Sequence, residues 1–143
     1  MAEGKLKVRL VTPDRILVDQ DAEAVEVPGK NGYFEVLYGH APLLSEIGAG
    51  EVRIHGGEAG GQQSAQRYVV ARGFVEVLPE RVTILAESAQ KPDEVDTGAV
   101  QEQLQHGQQL WNEAGEDPQK YEHANEVIAE AEAKLESAGA GKH

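Results

Sequence analysis

The sequence predicts an α+β protein in which an N-terminal antiparallel β-sandwich of about 8–10 short strands precedes an antiparallel two-helix hairpin. Two observations lead to this prediction. Up to Ala89, apolar and polar residues alternate between closely spaced turn residues, which is typical of half-buried strands. After Ala89, apolar residues recur every three or four positions, which is the period of an α-helix. We therefore divide the chain into a sandwich domain, residues 1–89, and a helical domain, residues 90–143.

The strands follow from alternation and from the turns between them. Leu6, Val8 and Leu10 alternate with basic residues, and Asn31-Gly32 predicts a tight turn because both residue types tolerate positive φ. Residues 79–81 join the last two strands, and the glycine-rich residues 56–61 predict a hairpin tip. The predicted strands are residues 6–10, 16–18, 25–27, 33–37, 50–55, 66–70, 74–78 and 82–86.

The two helices are predicted from apolar stripes and from the residues between them. The stripes are Val100, Leu104, Gly107, Trp111 and Ala114, then Tyr121, Ala124, Ile128, Ala131 and Leu135. Gly115 suits a helix C-terminus, Asp117 an N-cap and Pro118 the first helical position, so the helices run antiparallel.

This hairpin is expected to be weak. Gly98 and Gly107 each cost roughly 1 kcal/mol relative to alanine, and the seam of small residues buries little. We expect the hairpin to be stable only when docked on the sandwich or on a partner, and we expect a frayed tail over residues 137–143.

Composition limits the possible functions. The net charge is −12, with 9 basic and 13 acidic residues in 1–88 and 4 and 12 in 89–143, so we expect no nucleic-acid partner. A partner with a basic surface fits better. The chain has no cysteine, which excludes disulfides and thiolate metal sites. No apolar run approaches the ~20 residues of a membrane-spanning helix, so we expect no membrane insertion.

Catalytic and metal-site patterns are weak. No serine lies in a Gly-x-Ser-x-Gly elbow, and no two histidines have the spacing of a ligand pair. His106 and His123 could face each other across the hairpin as a metal site, but solvent-facing histidines are the simpler interpretation. Carboxylates at every fourth position, Glu122, Glu126 and Glu130, are typical of a solvated helix face.

The string Gly39-His40-Ala41-Pro42-Leu43-Leu44 has two interpretations. His40 could be the general base of a small hydrolase, working with a nearby carboxylate. Alternatively, its ring packs and hydrogen-bonds to hold an irregular corner, in which Gly39 permits a sharp bend and Pro42 fixes φ. We favour the corner, because no serine, cysteine or second histidine lies nearby in the sequence.

The order of motifs up to Ala89 resembles the epsilon subunit of bacterial and chloroplast F1Fo ATP synthase, which is equivalent to the mitochondrial delta subunit. The resemblance is carried by residues 25–29, Gly32, the string at 39–44, and residues 50–54, 71–77 and 82–89. It implies a non-catalytic central-stalk subunit without a cofactor or metal. This subunit would link the gamma subunit to the c-ring and couple ion-driven rotation to ATP synthesis.

The resemblance also implies contacts and a location. The turn at Asn31, Gly32 and Tyr33 would contact the c-ring, and the neighbouring corner would shape the same end; the corner consists of Tyr38, Gly39, His40, Ala41 and Pro42. The C-terminal helices could reach the beta or alpha subunits and regulate ATP hydrolysis. The protein would lie on the cytoplasmic face of the bacterial inner membrane as part of the complex.

The chain departs from the family pattern in three places. Glu35 and Tyr38 stand where glycine and proline are usual. In the ATP-binding motif of many bacterial members, Ala99 stands where arginine is usual, so we expect no strong ATP binding. The helical domain has few cations, so inhibition of hydrolysis should be weak. A free-standing β-sandwich module that scaffolds another complex is the alternative function.

Overall fold

A computed structural model of the chain describes residues 5–56 and 65–140. The described residues form two compact units, one ending at Ala89 and the other beginning at Gln90. The first unit holds strands β1 (Leu6–Val11), β2 (Ile16–Ala22), β3 (Ala24–Gly29), β4 (Gly32–Leu37), β5 (Leu43–Ile47), β6 (Gly50–His55), β7 (Ala65–Leu78) and β8 (Arg81–Gln90). The second holds a 3₁₀ turn (Pro92–Glu94), α1 (Thr97–Glu113) and α2 (Pro118–Ala140).

The strands form one eight-stranded sheet in the order β2-β1-β8-β7-β5-β3-β4, and β6 pairs with both β3 and β7. The pairs β1–β2, β3–β4, β3–β6, β5–β7 and β6–β7 are antiparallel, as predicted. However, β1 pairs with β8 in parallel, from Lys7 opposite Arg81 to Val11 opposite Leu85. Local alternation does not encode the partner of a strand, so this pair could not be predicted from the sequence.

The core of the sandwich is aliphatic. Alternate residues of β1, β3, β6 and β8 point inward, and the largest fully buried side chains are all leucine, isoleucine or valine. Tyr68 and the partly buried Phe34 are the aromatic residues that pack with this cluster. The core is aliphatic because only 5 % of the residues in the chain are aromatic.

Two predicted strands are one continuous strand in the structure. The predictions 66–70 and 74–78 both belong to β7, whose first half pairs with β6 and whose second half pairs with β5. Between the halves, φ is 51° at Arg72 and 149° at Gly73. The sequence prediction ended one strand at residue 70 and began another at residue 74, whereas the structure continues a single strand through both.

One strand was missed. The sequence analysis placed Leu43 and Leu44 in the string around the irregular corner and predicted no strand over β5. Its pairing partner β7 makes it a strand. Of the predicted tip at residues 56–61, only Gly56 lies among the described residues, and its φ is 75°.

The cap at the start of α1 was not predicted, whereas the residues between α1 and α2 take the predicted cap positions. Asp96 Oδ1 accepts a hydrogen bond from Ala99 N–H at 3.1 Å at the start of α1. Gly115, with φ of 63°, follows the C-cap of α1, and Asp117 Oδ1 accepts from Gln119 N–H at 3.0 Å before α2. Tyr121 packs edge-on against Trp111, with ring centroids 5.1 Å apart. The predicted cap and turn residues between the two helices are thus confirmed.

Two predictions about α2 are wrong. Glu130 does not lie on a solvated face, because it is 7 % exposed and pairs with Lys134 at 3.0 Å. The helix does not fray from Ser137 but continues to Ala140, with Ser137 and Ala138 buried. Residues 141–143 lie outside the described residues.

The two glycines of α1 should respond oppositely to replacement by alanine. Gly107 is buried, and an added Cβ would lie 2.8 Å from Ile128 Cγ1 and 3.1 Å from Val127 Cγ1. Gly98 is exposed near the helix start, where a Cβ would meet only Asp96 Oδ1 at 3.5 Å. We expect Gly98→Ala to stabilise the hairpin by about 0.5 kcal/mol, and Gly107→Ala to destabilise it by about 1 kcal/mol despite alanine's better helix propensity. Hydrogen exchange of the α1 amides would measure both, and stabilisation by Gly107→Ala would contradict the close packing.

Candidate functional site

One end of the sandwich is formed by two adjacent turns. Lys30 and Asn31 make the two-residue turn between β3 and β4, since Gly29 pairs with Gly32. The predicted tight turn is present. Gly32 has a positive φ of 134°, whereas Asn31 does not, so only the glycine adopts the conformation that disfavours other residues. Gly48 and Ala49 form the second turn, between β5 and β6.

Backbone hydrogen bonds tie the two turns together. Gly48 N–H donates to the Pro28 carbonyl at 2.9 Å, and Lys30 N–H donates to the Glu46 carbonyl at 3.0 Å. The Lys30 ammonium also lies 3.5 Å from the Glu46 carboxylate. We call Lys30, Asn31, Gly48 and Ala49 the turn platform. The platform is therefore one unit rather than two independent loops.

Tyr33 links the platform to β6. It pairs with Pro28 across β3–β4, and its hydroxyl oxygen accepts a hydrogen bond from Glu51 N–H at 2.8 Å. The ring tip covers Gly50, because an added Cβ there would lie 2.7 Å from Pro28 Cβ and 3.2 Å from Tyr33 Cζ. Tyr33 is nevertheless 55 % exposed, so one face of the ring is open to solvent.

Beside this contact, a group of charged residues crosses β3, β6 and β7. The Glu51 carboxylate is buried and accepts hydrogen bonds from Arg53 Nε at 2.8 Å and from Arg67 Nε at 3.0 Å. Glu26 lies 3.5 Å from Arg53 and 2.6 Å from His55 Nε2. The hydrogen bond to Glu51 raises the pKa of Arg53 above its usual range. The group holds the three strands together on their outer side.

The corner at residues 38–42 lies at the opposite end of β4. The six residues of β4 span about 17 Å between the platform and this corner. Gly39, with φ of 88°, donates its N–H to the Pro79 carbonyl at 2.6 Å, which places the corner beside the β7–β8 turn. The expectation that this corner shapes the same end as Asn31 is therefore wrong. The turn and the corner are neighbours in sequence, but a strand separates them.

His40 holds the corner. Its backbone N–H donates to the Leu37 carbonyl at 3.0 Å, and its ring Nδ1 donates to the Ala41 carbonyl at 2.7 Å. The ring thus braces the local backbone, which supports the shape-holding interpretation over that of a general base. Ala41 and Pro42 are exposed beside it.

The two departures from the family pattern in the sandwich lie on the surface. Glu35 is exposed and stands directly opposite Glu26, so two carboxylates face each other across β3–β4. Tyr38 is 44 % exposed at the corner. Neither residue disturbs the strand pairing beside it.

An exposed apolar row crosses the outer face of the sheet. Ile16 pairs with Val11, and Val11 pairs with Leu85. Phe74 and Leu85 lie equally far from the β7–β8 turn and are therefore neighbours. Leu44 lies next to the corner on the same face and is 70 % exposed, while Ile16, Phe74 and Leu85 are each exposed by about half. Large apolar residues at outward positions mark an interaction surface.

Sequence reasoning missed this row, although a signal for it was present. Phe74 and Leu85 occupy outward positions in strands whose alternation had already been read. An apolar residue on the polar side of an alternating strand was the available sign. The strand order that brings these residues together could not be read from the sequence.

The helical unit offers little chemistry. His106 and His123 are both exposed, and across residues 5–56 and 65–140 no group of three histidine, aspartate or glutamate side chains is placed to hold a metal ion. A groove of about 420 Å³ at the turn between the helices is lined by Leu110, Glu113, Asp117, Gln119, Lys120 and His123. Within the described part of the chain, neither α1 nor α2 is long and apolar enough to cross a membrane.

Comparison with known proteins defines the class. Residues 5–92 match the family model of the ATP synthase delta/epsilon chain β-sandwich domain. The chain therefore belongs to the ATP synthase delta/epsilon family. Proteins similar to it in that family include ATP synthase epsilon chains. The ATP synthase epsilon chain of Koribacter versatilis is 41 % identical over 107 residues, which is 74 % of this chain and 71 % of the relative. That of Magnetococcus marinus is 33 % identical over 128 residues, 90 % of each chain.

Solved structures share the fold over nearly the whole chain. A chain of the Euglena gracilis mitochondrial ATP synthase, in a structure of OSCP, F1 and the c-ring, aligns with a TM-score of 0.74 and 18 % identity. The alignment covers 98 % of this chain and 82 % of that one. A chain of the Tetrahymena thermophila central stalk and c-ring aligns with a TM-score of 0.67 and 12 % identity, covering 96 % and 99 %. The predicted architecture, a β-sandwich followed by two helices, is confirmed.

Proposed function

We propose that this chain is a non-catalytic subunit of the central stalk of F1Fo ATP synthase, linking the gamma subunit to the c-ring. The observation that carries the proposal is the family match over the whole sandwich, residues 5–92. The geometry supports a linking role, because the two predicted contact regions lie at opposite ends of β4. A subunit that transmits torque needs separate attachments to its two neighbours.

The turn platform is the proposed contact with the c-ring. It presents the exposed Lys30 and Asn31 on backbone that is held by hydrogen bonds between two turns. Gly32 and Tyr33 belong to the same contact by position. The platform is polar, and polar groups on a fixed backbone suit a contact with the polar loops of a ring.

The corner and the apolar row are the proposed contact with the gamma subunit. We assign the corner to the gamma contact rather than to the c-ring contact, because it lies at the opposite end of β4 from the platform. The corner residues are Tyr38, Gly39, His40, Ala41 and Pro42. Leu44 continues the corner into the apolar row with Phe74 and Leu85. An apolar surface next to a fixed corner suits a permanent partner better than a transient one.

The helical unit has a minor role in this proposal. It could reach the beta or alpha subunits, but its four lysines and twelve carboxylates give a poor match to an acidic target. Ala99 removes the expected guanidinium, and the Asp96 carboxylate caps α1 instead. We therefore propose weak inhibition of ATP hydrolysis and no strong ATP binding. The subunit would lie at the cytoplasmic face of the bacterial inner membrane, without inserting into it.

A charge placed in the apolar row should weaken gamma binding strongly. We expect Leu44→Asp and Phe74→Asp each to weaken binding of the same organism's gamma subunit about ten-fold or more, because the carboxylate would be buried without a partner. Both residues are exposed, so the melting temperature should change little. Asn112→Asp adds the same charge on exposed helix α1 and should bind normally. Calorimetry with purified gamma subunit measures the three variants.

The alternative, a free-standing scaffold module, makes a different prediction in that assay. A module of another complex would show no affinity for the gamma subunit even as wild type. If both aspartate variants instead bind the gamma subunit as tightly as the wild type, the stalk function is retained. The apolar row would then not be part of the interface.

A further inference from the structure

We propose that Tyr33 is a positioning residue that fixes the turn platform for its partner, rather than a residue that contacts the partner chiefly through its hydroxyl. The inference rests on the proposed function, in which the platform meets the c-ring. The hydroxyl is already engaged, since it accepts the hydrogen bond from Glu51 N–H at 2.8 Å. Its position on the exposed turn had suggested a direct contact.

The side chain of Tyr33 spans three strands. It starts on β4, passes Pro28 on β3, and ends over Gly50 and Glu51 on β6. The two turns of the platform connect these three strands and β5. A rigid ring laid across them fixes the angle between the turns in a way that backbone hydrogen bonds at the tip alone would not.

Gly50 is the complement of this ring. It is buried, and any side chain there would collide with both Pro28 and the end of Tyr33. Glycine on a strand is otherwise unfavourable, and here it marks the close approach of an aromatic side chain. Tyr33 and Gly50 therefore fix the platform together, and replacement of either residue should increase the mobility of the platform.

The β6 backbone that binds the Tyr33 hydroxyl is itself held in place. Glu51, whose N–H binds the Tyr33 hydroxyl, has its carboxylate held by Arg53 and Arg67. The backbone that receives the tyrosine is thus fixed by side chains of β6 and β7. A force on the platform is therefore transmitted to the middle of the sandwich. A contact that bears torque requires such a rigid connection.

Hydrogen exchange on the full chain tests the positioning role. We expect Tyr33→Ala and Gly50→Ala each to raise the exchange rates of the Lys30, Gly48 and Glu51 amides about ten-fold or more, as local opening becomes easier. Tyr33→Phe should raise exchange only at Glu51, because the ring still covers Gly50. Tyr38→Ala, which removes a comparably exposed tyrosine from the other end of β4, should leave these three amides unchanged. Unchanged exchange at Lys30 and Gly48 in both alanine variants would overturn the inference.

The assembled enzyme gives the second readout. In inverted membrane vesicles carrying the complete ATP synthase, Tyr33→Ala should lower proton pumping per ATP hydrolysed to about half, and Tyr33→Phe should restore it. Equal losses in the alanine and phenylalanine variants would mean that the hydroxyl itself is the contact, against the inference. Raised exchange with intact pumping would instead contradict the proposed contact between the platform and the c-ring.

Discussion

Replacing Gly73 by alanine should lower the free energy of unfolding of the sandwich by about 3 kcal/mol or more, the sum of a steric and a conformational cost. An added Cβ would overlap the Leu85 carbonyl oxygen and lie 2.9 Å from the carbonyl carbon. These are backbone atoms of a paired strand, so they cannot rotate away. The φ of 149° is in addition strained for any residue with a side chain.

A thermal melt followed by circular dichroism would measure this loss, which corresponds to a decrease of roughly 10 °C or more in a domain of this size. Gly32→Ala is the matched control, since Gly32 has a φ of 134° but no atom within 4 Å of an added Cβ. It carries the conformational cost without the collision and should lose only about 1 kcal/mol. Equal losses in the two variants would show that the collision at Leu85 is relieved by movement of the strands.

Replacing Glu51 by alanine should cost about 2–3 kcal/mol of unfolding free energy, because two guanidinium groups lose their shared carboxylate. The Glu51 side chain is only 6 % exposed, so little water is present to replace it. Arg53 and Arg67 are partly exposed, at 42 % and 26 %, and this keeps the loss below that of a fully buried pair. Urea unfolding at neutral pH would measure the change.

The comparison for this prediction is Glu87→Ala. Glu87 also pairs with an arginine on a neighbouring strand, with Arg72 Nε at 2.9 Å, but its side chain is 63 % exposed. An exposed pair of this kind contributes less than about 1 kcal/mol. If the two alanine variants unfold at the same urea concentration, burial of Glu51 does not strengthen its ion pairs.

The sequence predicted those features that are set by local chemistry. Alternation located the inward faces of β1, β6 and β8, because side chains on a strand alternate between core and solvent. Gly115, Asp117 and Pro118 located the hairpin turn because each has a distinct backbone requirement that the structure meets. These features depend on a few adjacent residues, which a single sequence displays in full.

What could not be predicted depends on partners that are distant in the chain. The continuity of β7 was missed because residues 71–73 separate the two predicted strands, and only the pairing with two neighbouring strands shows that the chain does not turn there. The separation of the Asn31 turn from the corner at Gly39 was missed because closeness in sequence was taken for closeness in space. The resemblance to the family pointed to residues at both places but did not locate them relative to each other.

The parallel pairing of β1 with β8 has a consequence for how the chain is made. Lys7 finds its partner Arg81 only after more than half of the chain has been synthesised. Until then β1 and β2 form an isolated two-stranded hairpin, which is marginally stable in water. The sandwich is therefore completed late in synthesis, because β1 cannot pair with β8 until β8 has left the ribosome. Folding of the whole domain is delayed until that point.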